Sequence, residues 1–174
     1  MKELLTGEQV HLRALEPTDI DTVLAWENDT TSWDTSDTVA PMSRATLWQY
    51  LQDYVADIYR QGELRLIIEH NTTRDIIGMV ELRDFSALNN RAEVGVFIAP
   101  QWRGERYATQ AMSLTVDYAG EYLGIRSLYC YVPVDNVASE RMLTACGFEP
   151  IGTLHSWIRR GNVYRDAVIM QLVL

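Results

Sequence analysis

The chain passes from a strand into a helix within the segment Val94-Gly95-Val96-Phe97-Ile98-Ala99-Pro100-Gln101-Trp102-Arg103-Gly104-Glu105-Arg106-Tyr107-Ala108-Thr109. The apolar run at 94–99 predicts a buried strand, and apolar residues recur at helical spacing from residue 108 onward. A strand, a turn with Gly104 and a helix start predict a phosphate site, because the first helical N–H groups lack partners and the helix dipole favours an anion. Arg103 and Arg106 add positive charge there. The same arrangement is common in α/β proteins, so this segment alone leaves a purely structural interpretation open.

Two motifs and both ends of the chain carry a family resemblance. The run Gln101-x-x-Gly104-x-Arg106-Tyr107-Ala108-Thr109 resembles the acetyl-CoA-binding motif of the GNAT superfamily of N-acetyltransferases. The run Asp135-Asn136-x-x-Ser139-x-x-x-Leu143-x-x-x-Gly147-Phe148 resembles the second signature of that family. Residues 12–19 and 152–170 are similar to its RimJ/RimL-like and spermidine/diamine acetyltransferase branch. The sequence departs from the family at Arg106, where Gly or Ala is usual.

The resemblance implies acetyl-CoA as cosubstrate and a set of residues that hold it. This set is Phe97, Ile98, Arg103, Gly104, Glu105, Arg106, Tyr107, Ala108, Thr109 and Asn136. A backbone N–H of Phe97 or Ile98 is expected to polarise the thioester carbonyl. Asn136 is expected to hydrogen-bond the pantetheine arm, to cap the following helix, or to do both. The Arg106 guanidinium could reach a phosphate, or its bulk could disturb the turn.

Periodicity along the rest of the chain predicts the order βααβββαβαββ, a mixed α/β sheet with helices on both faces. Strands are predicted at 10–15, 64–69, 76–83, 92–99, 127–132, 153–159 and 167–173, and helices at 17–28, 43–58, 107–122 and 137–145. The resemblance implies the GNAT-like acyl-CoA N-acyltransferase fold, in which the central fourth and fifth strands splay apart to form the cofactor cleft. With 174 residues, 47% of them hydrophobic, and no linker, residues 1–174 are expected to form a single N-acetyltransferase domain.

Acetyl transfer to an amine needs a general base, because a primary amine is almost fully protonated at neutral pH. Glu93 is the first candidate, since family members often carry Glu beside the cofactor strand; the alternative is an exposed carboxylate paired with Arg91 or another neighbour. Ser139 is the candidate for protonating the leaving thiolate. Many relatives use a Tyr four residues before the Gly-Phe pair, but Leu143 stands there and cannot donate a proton. Ser139 therefore competes with Tyr129, Tyr131 and water.

A polar segment between the first two helices is expected to form the wall of the acceptor site. The resemblance points to Trp26, Glu27, Trp33, Asp34 and Asp37. Carboxylates beside indole faces suit an alkylammonium through ion pairing and cation–π contact. The alternative is a solvated loop with one aromatic anchor.

Composition limits the partners. A formal net charge of −9 argues against nucleic acid and anionic membranes and suits a cationic substrate, although the acidity could serve solubility alone. No signal peptide or membrane-length apolar run is visible. Cys130 and Cys146 lie in apolar elements, which fits inert thiols in a reduced cytoplasmic setting. The three histidines lack metal-ligand spacing, so no metal is expected.

These observations predict an acetyl-CoA-dependent N-acetyltransferase that acts by direct attack of a primary amine, with a small polyamine or diamine as the favoured acceptor. One alternative is acetylation of a protein N-terminus, as RimJ/RimL relatives do. The other is a non-catalytic CoA-binding regulatory module, which Arg106 and Leu143 support. A homodimer is left open.

Overall fold

A computed structural model describes residues 3–33 and 36–174. The strands are β1 Val10–Arg13, β2 Leu64–His70, β3 Ile76–Ser86, β4 Arg91–Ile98, β5 Ser127–Pro133, β6 Glu149–Arg160 and β7 Val163–Val173. The helices are α1 Ile20–Glu27, α2 Arg44–Asp53, α3 Ile58–Gln61, α4 Tyr107–Glu121 and α5 Val137–Ala145, with 3₁₀ turns at Pro17–Asp19 and Pro100–Trp102. The strands form one seven-stranded mixed sheet in the order β1-β2-β3-β4-β5-β7-β6.

Side chains alternate between the two faces of the sheet and pack into two cores. On β3, Val80 and Leu82 point into the larger core, which also contains residues of α4 and α5. Met79, which precedes them, points into the smaller core beneath α1 and α2. Helices therefore cover both faces, which confirms the predicted mixed α/β class.

The central strands β4 and β5 pair over a short distance only. Their parallel register joins Arg91 to Ser127, Ala92 to Leu128 and Glu93 to Tyr129. Both strands continue beyond that point, β4 to Ile98 and β5 to Pro133, without further pairing to each other. The two strands thus diverge after Glu93, and the predicted splay is confirmed.

The predicted helix at 43–58 is wrong in one respect, because the chain forms two helices there. Ser43 caps α2 as expected, with the amide of Thr46 donating to its hydroxyl at 3.0 Å. Tyr54 is extended and ends α2, and its hydroxyl accepts the Arg65 amide of β2 at 2.8 Å. Asp57 then caps α3. The apolar spacing runs across this break, so periodicity alone could not reveal a tertiary hydrogen bond that ends the helix.

Candidate active site

The loop before α4 has the backbone geometry of an anion site. Gly104 has φ +89° and Arg106 has φ +62°, so the chain turns tightly twice before the helix. The first helical bond runs from the amide of Gln110 to the carbonyl of Arg106 at 3.1 Å. Within the described residues, no side chain caps this end, and its first turn contains no acidic residue. The amides of the first turn thus have the arrangement in which a helix N-terminus binds an anion, and the phosphate site itself stays a prediction.

Aromatic packing holds this loop against the end of β2. The indole of Trp102 stacks on His70 at 6.4 Å, and Tyr107 lies edge-on to His70 at 5.8 Å and to Trp102 at 6.3 Å. The Nε of Arg103 donates to the carbonyl of Ile98 at 2.9 Å, so this guanidinium is anchored to the end of β4. The predicted residues Gly104, Glu105 and Arg106 are exposed, while Ala108 and Thr109 are half-buried on the first turn of α4.

The direction of the β4 amides separates the two candidates for polarising a carbonyl. The amide of Ala99 donates to Ile77, which continues the β3 side of the ladder. Backbone groups of successive residues point to opposite sides, so the amide of Phe97 faces β3 and that of Ile98 faces the open side. The carbonyl of Ile98 accepts from Arg103 on that side, in agreement with this direction.

Glu93 lies where β4 and β5 part. Its side chain is only 15% exposed, and its Oε1 accepts from Arg83 at 2.7 Å, directly across the β3–β4 ladder. Glu93 also lines a cavity of about 340 Å³ together with Tyr131, Pro133 and Trp157. Both interpretations of the sequence thus hold in part: the carboxylate is ion-paired, and it faces a space where a substrate could bind.

The three side chains considered as proton donors lie in different positions. Tyr129 donates its hydroxyl to Asp84 at 2.5 Å, and burial, followed by this bond, raises its pKa. Tyr131, two residues on, lines the cavity with Glu93. Ser139 is half-buried on the first turn of α5, and Leu143 is buried in the core. Tyr131 is therefore the candidate that shares a cavity with the proposed base.

Asn136 caps α5. Its side-chain oxygen accepts the backbone N–H of Ser139 at 3.2 Å. Its own backbone N–H donates to the carbonyl of Pro133 at 2.8 Å. The cap uses the side-chain oxygen, and the NH₂ group takes no part in it. The capping role predicted for Asn136 is confirmed, and a second role toward a pantetheine carbonyl is compatible with it.

A larger cavity of about 480 Å³ lies beneath α1 and shares Asp37 and Arg83 with the smaller one. Of the predicted acceptor residues that the structure describes, Trp26, Glu27 and Asp37 line it, whereas Trp33 does not. Trp33 instead donates its indole N–H to the carbonyl of Glu27 at 2.8 Å. Asp34 lies outside the described residues.

Guanidinium groups balance the carboxylates of both cavities. The charged residues described as lining them are the acids Glu27, Asp37, Glu81 and Glu93 and the arginines Arg65, Arg83, Arg159 and Arg160. Arg65 bonds Glu27 at 3.2 Å and Glu81 at 2.5 Å, and Arg83 lies 3.8 Å from Asp37. The expected acidic wall is therefore a set of ion pairs, and the net charge of −9 is not concentrated there.

Several lining residues were missed in the sequence. Arg83 could have been found, because it lies at even spacing from Met79 on the face of β3 opposite Val80 and Leu82. Trp157 and the two arginines at 159 and 160 could not, since an irregularity in the pairing of β6 with β7 decides where they point. Among the residues at 3–33 and 36–174 no cluster of potential metal ligands occurs, and no helix is long and apolar enough to cross a membrane.

Comparison with known proteins gives the class. Residues 9–149 match the family described as acetyltransferase (GNAT) domain, so the chain belongs to the GNAT family of N-acetyltransferases, whose acetyl donor is acetyl-CoA. It is 31% identical to spermidine N(1)-acetyltransferase of Escherichia coli K12 over 118 residues, 67% of this chain and 62% of that one. It is 27% identical to spermidine N(1)-acetyltransferase of Vibrio cholerae over 120 residues, 69% of each.

The same class follows from solved structures. The spermidine N-acetyltransferase of Vibrio cholerae in complex with CoA and spermine superimposes with a TM-score of 0.84 over 95% of both chains, at 26% identity. The splayed strands, the uncapped start of α4 and the family membership agree. The protein is an acetyl-CoA-dependent N-acetyltransferase.

Proposed function

We propose that the chain transfers acetyl from acetyl-CoA to a primary amine of a polyamine such as spermidine. The single structural observation that supports this proposal is the position of Glu93, which faces a cavity at the point where β4 and β5 part. The names of the relatives supply the acceptor class, because the Escherichia coli and Vibrio cholerae proteins act on spermidine.

The proposed reaction is a direct attack. The amine nitrogen forms a bond to the thioester carbon while the C–S bond breaks and the sulfur leaves as thiolate. Glu93, through its second oxygen or a water, takes the proton that the amine loses. The amide of Ile98 stabilises the oxygen that becomes negative in the transition state. Tyr131 is favoured as the donor that protonates the thiolate, and Ser139 or water is the alternative.

The acceptor would bind along the two cavities, which share two lining residues. Aromatic faces of Trp26 and Trp157 offer cation–π contact to alkylammonium groups, and Glu27 and Asp37 offer ion pairs. Because Glu27 is already bonded to Arg65, an ammonium there must share the carboxylate rather than meet a free one. We therefore expect shape and aromatic contact to contribute to affinity as much as charge.

A second acceptor, the N-terminal amine of a protein, is favoured by one observation. Arg159 and Arg160 line the cavity of Glu93, and guanidinium groups bind peptide carbonyls and carboxylates better than they bind a polyamine. The alternative of a non-catalytic CoA-binding module would require binding of acetyl-CoA without turnover.

Release of CoA thiol in the presence of an amine panel distinguishes these proposals. We expect turnover with spermidine, spermine and a diamine, and a spermidine KM that rises with salt, since the Debye length falls to about 8 Å at physiological ionic strength. Asp37→Asn should raise the same KM and leave the acetyl-CoA KM unchanged. Preference for a peptide N-terminus over every polyamine would contradict the polyamine proposal and favour acetylation of a protein N-terminus. Binding of acetyl-CoA without turnover on any amine would contradict catalysis.

A further inference from the structure

The hairpin of β6 and β7 contains a large bulge. Leu154 pairs with Ala167 and Ile158 pairs with Arg165, so the three residues His155, Ser156 and Trp157 lie opposite Asp166 alone. Extra residues on one strand bend it and change the direction of the side chains that follow. The bulge therefore decides where Trp157 points.

The Asp166 carboxylate holds the bulge together. One oxygen accepts the backbone N–H of Ser156 at 2.8 Å, and the other lies 2.8 Å from Nδ1 of His155. Ser156 has φ +52°, a left-handed conformation that is unfavourable for most residues except glycine. The Ser156 amide, and then His155, lower the pKa of Asp166, so the carboxylate is the form that the bulge stabilises.

Both walls of the Glu93 cavity are connected to Asp166. On one side, Trp157 is the last residue of the bulge, its ring centroid lies 5.8 Å from that of Tyr131, and both residues line the cavity. On the other side, the backbone carbonyl of Asp166 accepts the amide of Val134 at 3.1 Å, where the chain leaves β5 for α5. The hydrogen bonds of the Asp166 side chain go to His155 and Ser156, so its carboxylate acts on the cavity through the bulge.

We propose that Asp166 is a positioning residue, which fixes the bulge so that Trp157 forms the acceptor-side wall of the Glu93 cavity. Trp157 then sets acceptor specificity, because its indole face attracts an alkylammonium and covers the alkyl chain beside it. The acceptor class in this proposal rests on the proposed function, whereas the action of Asp166 through Trp157 does not.

Steady-state kinetics of the full chain test the pathway. Trp157→Ala should raise the acceptor KM roughly 3- to 30-fold, the range expected for loss of one cation–π contact, and leave the acetyl-CoA KM unchanged. Asp166→Ala should raise the acceptor KM in the same way. The double variant should be no worse than Trp157→Ala alone, because the two residues act through one contact. Glu149→Gln, a carboxylate change at the far end of β6, is the control and should match wild type.

A rescue separates positioning from general stability. Ser156→Gly removes the cost of positive φ, so it should restore most of the acceptor KM in the Asp166→Ala background. Asp166→Asn keeps an oxygen that accepts the Ser156 amide and should lie close to wild type. Among the indole N–H signals in NMR spectra, the one lost in Trp157→Phe should shift in Asp166→Ala and return with Ser156→Gly, while the other indole signals stay in place.

Several outcomes would overturn the proposal. These are additive KM losses in the double variant, an unmoved Trp157 signal in Asp166→Ala, and a loss that appears in the acetyl-CoA KM instead. Failure of the proposed function looks different, because wild type would then acetylate a peptide and no polyamine. In that case Asp166→Ala should raise the KM for the peptide and shift the Trp157 signal. If wild type acetylates no amine, the Trp157 signal alone decides the role of Asp166.

Discussion

Arg106 combines a left-handed backbone with a charged side chain at the start of α4. A residue other than glycine costs about 1–2 kcal/mol in that conformation, so the glycine that is common in the motif there carries no such cost. The Arg106 side chain is exposed and adjoins the uncapped amides of the first helical turn. The chain has thus kept a strained residue at the point where the pyrophosphate is expected, which suggests that the guanidinium contributes to binding.

We expect Arg106→Gly to have opposite effects on stability and on cofactor affinity. The free energy of unfolding should rise by about 1 kcal/mol as the strain disappears, and the acetyl-CoA KM should rise as the charge is lost. Thermal melting without ligand and initial rates at varied acetyl-CoA measure the two effects. Arg106→Asn is the matched control, because Asn tolerates positive φ but carries no charge, so it should share the higher KM. A lower KM in either variant would mean that Arg106 only crowds the turn.

Glu93 is the residue on which the proposed chemistry depends most. Glu93→Gln keeps an oxygen for the bond with Arg83, so we expect the fold and the acetyl-CoA affinity to persist. Turnover at neutral pH should fall roughly 10²- to 10⁴-fold, the usual contribution of a general base. The deficit should shrink as pH rises toward about 10, because more of the amine is already deprotonated.

Initial rates from neutral pH up to about pH 10, near the pKa of a primary amine, measure this effect, with calorimetric binding of acetyl-CoA as the test of folding. Glu8→Gln, an exposed carboxylate on the segment before β1, serves as the control and should behave as wild type. An unchanged rate for Glu93→Gln at neutral pH would assign the proton transfer to water or to another carboxylate.

Among the elements, the turn between β4 and α4 connects sequence to function most directly. Gly104 has φ +89°, and a methyl group placed on its α-carbon would have no described neighbour within 4 Å, so only backbone conformation and ligand space restrict that position. Gly62, which follows α3, has φ +75° and equally open surroundings. The two glycines therefore form a natural pair in which one lies at the proposed phosphate site and the other does not.

We expect Gly104→Ala and Gly62→Ala to lose similar stability, about 1 kcal/mol each, because both place a methyl group at positive φ. Only Gly104→Ala should weaken acetyl-CoA binding, and Gly104→Asp should weaken it more through charge repulsion. Denaturant unfolding and calorimetry on the same samples separate the two quantities. Equal acetyl-CoA affinities for Gly104→Asp and Gly62→Ala would contradict the placement of the phosphate site at this turn.

Most elements could be predicted because their signals are local. The strand at β4 and the helix at α4 are specified by apolar spacing, and Ser43 and Asn136 are capping residues recognisable by type. The break after α2 was missed because the bond that ends it comes from Arg65, distant in sequence. The bulge in β6 was missed for a similar reason, since Asp166 of the neighbouring strand stabilises it.

At the scale of the molecule, the position of Glu93 was easier to predict than the composition of the proposed acceptor wall. The family resemblance pointed to Glu93, and it lies where β4 and β5 part, as the resembled fold implies. The acceptor wall depends on which carboxylates meet arginines, as Glu27 meets Arg65, and pairing of this kind is set by register between strands and helices. A net charge summed over the chain cannot reveal it.

Titratable groups with raised pKa values make the folded protein less stable at alkaline pH. Burial, and then the nearby Glu93, raise the pKa of Cys130 from 9.0 to about 12, and burial also raises those of Tyr50 and Tyr129 from 10.0. The unfolded chain therefore loses these protons first, so stability is full below about pH 9 and falls as pH rises above it. Cys130 alone should cost about 1.4 kcal/mol between about pH 8 and pH 10. Urea unfolding at these two pH values measures the loss of stability, and the loss should be smaller in Cys130→Ala by the contribution of Cys130. An equal loss in wild type and variant would contradict the raised pKa of Cys130.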